Sequence, residues 1–154
     1  MTKKLLAAPL IAATLAIGYT LPIGTQNCLS HNALPDRSCT PGYVTTATKK
    51  DVCTPGYATS VRNVSQGTKN AVYASYGVRV RLPGQYEVDH LVPLSLGGSN
   101  DPRNLWPEPA EPRPGFHEKD VVEWYLYREV CMGRMLLPKA QQLIAKDWRR
   151  VKIQ

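Results

Sequence analysis

Residues 86–106 read YEVDHLVPLSLGGSNDPRNLW: an acid and a histidine side by side, a turn-rich loop, then an asparagine. Tyr86 and Val88 alternate with polar neighbours, as in a half-buried strand, and deliver Asp89 and His90 to its end. Gly97, Gly98, Ser99, Asn100, Asp101 and Pro102 supply positive φ or preset turns. Asn104, Leu105 and Trp106 then begin a return strand, with Trp106 expected in the core. Glu108 and Glu111 beyond it read as solvated loop acids.

The pair has a chemistry of its own. Phosphodiester hydrolysis needs a water made nucleophilic, and a neutral imidazole such as that of His90 can take the proton near pH 7. It also needs charge neutralised on the phosphate and the departing oxygen. Asp89 suits this as a hard oxygen ligand for a divalent cation. Adjacent strand residues point to opposite faces, so the two converge only if the strand end is distorted beside Leu91, Val92 and Pro93.

Outward from this stretch, proline dominates the next connection, with Pro107, Pro109, Pro112 and Pro114. A helix is then expected from Phe116 to about Met132, with Val121, Val122, Tyr125, Leu126 and Val130 inward and Gly133 as its stop. A second helix starts near Pro138 and carries Leu143, Ile144, Trp148 and Val151 inward. Residues 134–152 hold six cations (Arg134, Lys139, Lys146, Arg149, Arg150, Lys152) against Asp147 alone, a net +5 that suits contact with backbone phosphate. Upstream, a helix is expected over 65–77, capped by Ser65 and stopped by Gly77. The alternation Val78, Arg79, Val80, Arg81, Leu82 predicts a strand. CTPGY occurs twice, at 39–43 and 53–57, each copy read as a turn plus a β-branched strand clasped against the core.

The charge of +7 and the pI near 9.4 point to an anionic partner. Thirteen prolines, eleven glycines and one phenylalanine argue against a helical bundle, and 154 residues allow one domain of ordinary size. Residues 1–25 stand apart: Lys3 and Lys4 precede an uncharged run from Leu5 to Ile17, the pattern of a secretory signal peptide or an N-terminal anchor. Residues 26–154 are then the single domain. Export would make disulfides of Cys28, Cys39, Cys53 and Cys131, in one of three pairings that the sequence leaves open.

The Asp-His pair, the Gly-rich loop and NLWPEP together resemble the HNH, or ββα-metal, endonucleases, and DHLVPL followed by GG and DPRNLWPEP is similar to a group of small bacterial HNH proteins. The resemblance covers about residues 38–148, with specific motifs in 87–108. It implies an α+β fold: a ββα-metal finger at about 86–132, with extra N-terminal strands and flanking helices. It also implies roles: Asp89 as metal ligand, His90 as general base, Asn104 as the loop-fixing residue of the catalytic set, and His117 at the first turn of the following helix as the remaining ligand. His117 follows Asn104 at a longer spacing than is usual in the family, and Glu118 and Asp120 stand nearby as substitutes. The implied cofactor is a divalent cation, Mg²⁺ first, with Mn²⁺, Ni²⁺ or Zn²⁺ as alternatives. The expected partner is DNA, or RNA, held by Arg79, Arg81, Arg103, Lys119, Arg149 and Arg150. No base-reading module is visible, so low sequence preference is expected. The competing expectations are a nucleic-acid-binding or envelope protein that keeps the scaffold without turnover, and a membrane-anchored structural protein.

Overall fold

The computed structural model describes residues 27–154; the leader reading falls on residues outside them. The fold is mixed α+β. Its only paired strands among the described residues are β1 (Tyr86–His90) and β2 (Leu105–Pro109), antiparallel, with Asp89 opposite Trp106 and Glu87 opposite Glu108. Between them the chain makes two 3₁₀ turns, Leu94–Leu96 and Pro102–Asn104. β2 thus runs through Pro107 to Pro109, two prolines assigned above to the connection. Pro lacks a donor, which an edge strand tolerates.

The helix that follows, Phe116–Cys131, starts where Glu118 accepts from the Gly115 backbone N–H at 2.8 Å. Its buried residues are Phe116, Lys119, Val122, Leu126 and Val130, a stripe at three- and four-residue spacing. Val121, expected inward, falls off that stripe and is 55% exposed. Gly115 is required here, since a Cβ would lie 2.4 Å from the carbonyl oxygens of both Pro109 and Ala110. Leu137–Asp147 forms the last helix, and Ala140, Ile144 and Trp148 complete a core with Val52, Val92, Leu96 and Leu126. Among the described residues no helix is long and apolar enough to cross a membrane.

The N-terminal half corrects the expectation of extra strands. Of the two expected turn-plus-strand units, the second is the short helix Tyr57–Val61; the first is no strand either, and is followed by the short helix Lys49–Val52, started by a capping box between Thr48 and Asp51. The clasp survives only as backbone hydrogen bonds, from Gly42 to Arg103 O, Thr45 to Gly97 O and Ser99 to Tyr43 O, and as one isolated bridge between Val44 and Gly98. Residues 78–82 form no strand. They have no partner to pair with, and Val80 and Leu82 are exposed. The helix Gln66–Ser75 does form, with the Ser65 hydroxyl accepting from Thr68 N at 3.0 Å. The disulfides join Cys28 to Cys39 and Cys53 to Cys131, so the second ties the turn after the first short helix to the end of the long one.

Candidate functional site

Asp89 and His90 close β1, and the loop behind them is fastened by one side chain. Asn104 is fully buried; its Oδ1 accepts from Val92 N at 3.0 Å, and its Nδ2 donates to Val92 O and Ser99 O, each at 2.9 Å. The chain must approach itself closely for this: a Cβ on Gly98 would stand 1.8 Å from Val92 O. The Asn104 amide therefore holds the loop against the strand end, where Leu91 N also bonds to Asn104 O at 2.8 Å.

His90 is 2% exposed. Its Nε2 lies 3.1 Å from Asn100 Oδ1, and Asn100 Nδ2 donates to Val61 O at 2.7 Å, which ties the imidazole through the loop to the end of the Tyr57–Val61 helix. Burial pulls the imidazole below its ordinary pKa, outweighing the Asn100 hydrogen bond and the charge of Asp89. The neutral form of the ring is thereby favoured.

Beneath it lies a buried ionic cluster. Lys119, with no exposed surface, donates to the carboxylates of Asp89 and Glu123 and to the backbone oxygen of His90, the last at 2.9 Å; Glu108 Oε2 is 3.7 Å away. Burial opposes the ammonium charge, but Asp89, Glu123 and Glu108 overcome this and hold it well above the usual lysine value. The same ammonium holds Asp89 below the usual carboxylate range against the effect of burial. Glu108 has no exposed surface and neither oxygen has a hydrogen-bond partner; burial, reinforced by Asp89, pushes it well above the carboxylate range. Glu123 is pushed up to about 7, chiefly by burial. The cluster thus sets an ionised Asp89 and Lys119 against a Glu108 held well above the ordinary carboxylate range and a Glu123 pushed up to about 7.

A second set of acids borders Asp89. Burial, then the charges of Asp89 and Asp120, push Glu87 up to about 7. Burial and Asp89 likewise raise Asp120, with Lys119 and His117 acting the other way. His117 is exposed, its ring packed on Phe116 at 4.3 Å between centroids. Among the described residues no three His, Cys, Asp or Glu side chains are gathered closely enough to hold a metal ion. The chain matches no family model, no curated protein and no solved structure.

Several expected cations are otherwise engaged. Lys119 is not a surface phosphate contact at all, because it lies on the buried stripe of its helix. Glu108, expected in a solvated loop, faces it from β2. Arg103 forms a two-pronged pair with Asp101 at 2.7 and 2.8 Å and stacks over Tyr43. Arg149 is likewise paired with Asp147, at 2.8 and 2.9 Å, and donates to Asn32 O. Arg81 lies over the Tyr73 ring, 3.8 Å from its centroid, while Arg79 is exposed and the Arg150 side chain is 87% exposed. The residues missed from sequence are Asn100, Glu87, Glu108 and Glu123. Arg62, exposed, acts electrostatically on both Glu87 and His90. The missed signals were present: Glu87 shares a strand face with Asp89, and Glu123 stands one helical turn after Lys119.

Proposed function

We propose that the chain is an exported, divalent-cation-dependent endonuclease of the HNH, ββα-metal type, which hydrolyses phosphodiester bonds of DNA, and of RNA, with little sequence preference. The observation that carries the reading is His90, its neutral form favoured, at the end of β1 and held from both sides: Asn100 on its ring and the Asn104-fastened loop behind it. Such an imidazole takes a proton from water without first losing its own. The strand, loop, strand and helix order from Tyr86 to Cys131 agrees with the resemblance in the sequence. Two disulfides agree with an oxidising compartment.

The side chains around Asp89 are hard oxygen donors of the kind a divalent cation takes, although no three ligands are gathered into a ready site among the described residues. Asp89 raises the proton affinity of Glu87 and Asp120, and Asp120 that of Glu87, a crowding of negative charge that a cation relieves, and His117 acts on Asp120. Asp89 and His117 would hold the ion, with Glu87 and Asp120 beside them. When bound, it supplies positive charge to the phosphate and the leaving oxygen. Lys119 keeps Asp89 ionised and fixed to the His90 backbone, so the base and the acid are held in register. Arg62, Arg79 and Arg150, with Lys139, Lys146 and Lys152, are exposed cations for the phosphate backbone.

Metal-stripped protein incubated with supercoiled plasmid, with and without added Mg²⁺, tests this: nicking that appears with the metal and vanishes with EDTA is expected, and cutting indifferent to both refutes it. A second reading, a nucleic-acid-binding or envelope protein without turnover, is favoured by one observation: Asp89 is already occupied by Lys119. It predicts salt-sensitive DNA binding that persists in His90→Ala, with no metal-dependent product.

A further inference from the structure

The Asn100 side chain has unambiguous partners on both sides of its amide. Nδ2 faces the carbonyl of Val61 at 2.7 Å, and a carbonyl can only accept. Oδ1 faces the backbone N–H of Asn63 at 3.3 Å, which can only donate. These two contacts fix which end of the amide is which. The oxygen therefore faces His90 Nε2 at 3.1 Å and can only accept from it, so Nε2 carries the proton. In a neutral imidazole the lone pair is then on Nδ1. Among the described residues Nδ1 makes no hydrogen bond, so its lone pair is left free to accept.

We infer that Asn100 is a positioning residue that holds His90 in the Nε2–H tautomer and so makes Nδ1 the nitrogen that receives the proton of the attacking water. The inference rests on the hydrolase reading of His90. In the step, one O–H bond of water breaks and its proton passes to Nδ1. The oxygen forms a bond to phosphorus, and the leaving sugar oxygen departs with the P–O electron pair and takes a proton from solvent. The imidazolium so formed donates more strongly to Asn100 Oδ1, which Val61 and Asn63 keep from turning away. The charged groups acting on the ring are Asp89 and Lys119 from below and Arg62 from the Tyr57–Val61 side.

The test is long-range proton–nitrogen correlation of the imidazole of the full domain at pH 8, with the His90 signals assigned by their loss in His90→Ala. Wild type is expected to show a protonated Nε2 and a bare Nδ1. Asn100→Asp, which keeps an acceptor, retains that pattern, and Asn100→Ala mixes the tautomers. In plasmid nicking, Asn100→Ala lowers kcat by roughly 10–100-fold, the scale for an outer partner that orients a reactive imidazole, with KM nearly unchanged. Circular dichroism confirms that each variant is folded. A protonated Nδ1 in wild type, or an unmixed Nε2–H pattern in folded Asn100→Ala, overturns the inference even if DNA is cut. A protonated Nε2 in a wild type that cuts no DNA leaves the tautomer assignment standing and removes the hydrolase reading instead.

Discussion

Lys119→Met removes the one ammonium that joins Asp89, Glu123 and the His90 carbonyl, and it leaves Asp89, Glu108 and Glu123 facing one another without a cation. Methionine keeps the length and fills the stripe position, so the packing loss is small. Breaking a buried ion pair by removing one partner costs about 3–5 kcal/mol, because the remaining charge stays buried and unpaired. At about 1.4 kcal/mol per tenfold, the folded-to-unfolded ratio falls by roughly two to three and a half powers of ten. For a domain of this size the melting temperature drops by about 10–20 °C. The deficit depends on pH. Without the ammonium the three carboxyls bind protons more tightly when folded than when unfolded, so the variant loses further stability as pH rises from 5 to 8. Urea denaturation of both proteins at several pH values reads this directly, with equal slopes confirming that only stability changed. Glu123→Gln in the Lys119→Met background should recover part of the loss, as coupled neighbours do. A Lys119→Met protein within 1 kcal/mol of wild type across that range would refute the cluster as an ionised, mutually dependent unit.

Gly98→Ala drives a Cβ onto Val92 O, 1.8 Å away, and onto Asn104 Nδ2, 2.9 Å away. The loop must move, so a loss of about 1–3 kcal/mol and slower plasmid nicking are expected, and an unchanged melt would contradict the close approach. In wild type, Glu123 has a folded pKa raised to about 7 against an ordinary 4.5. Its contribution is therefore complete below about pH 4.5 and lost as pH rises through 7. Melting temperature in EDTA should fall between pH 5 and 8, and Glu123→Gln should flatten that fall. Replacing Cys53 and Cys131 by alanine opens a loop with a sequence separation of 78 and should cost about 4–5 kcal/mol on the chain-entropy estimate, against about 3 for Cys28 and Cys39, whose separation is 11. Thermal melts of the two double variants in that order, the first lower, are expected.

The hairpin and the three longer helices were legible because local signals and burial agree there. The strand approaches by alternation, Ser65 caps, and Val122, Leu126 and Val130 recur at helical spacing. What was not legible depended on contacts across the chain. Lys119 stands on the same stripe three residues before Val122, but a lysine is read as a surface cation until partners for it are known. Those partners, Asp89 and Glu108, come from two different strands, and only their register reveals them. Glu108 looked like a loop acid because prolines flank it, although β2 runs through both. The β-branched runs after each CTPGY suggested strands; Gly56 in the left-handed region starts a helix at the second, and the first makes only an isolated bridge at Val44. The alternation over 78–82 had nothing to pair with. Charge counting marked residues 134–152 as a basic face, yet Arg134 and Arg149 are bound by Glu129 and Asp147.

The most direct test of His90 as general base is the rate of supercoiled plasmid nicking in Mg²⁺ by wild type and by His90→Ala, with Asn104→Asp alongside to report on the loop. Loss of the base removes a factor of roughly 10²–10⁴. A wild type that nicks, a folded His90→Ala protein slower by that factor and partial recovery with added imidazole are the predicted result. Equal rates for wild type and His90→Ala would contradict the account at its centre.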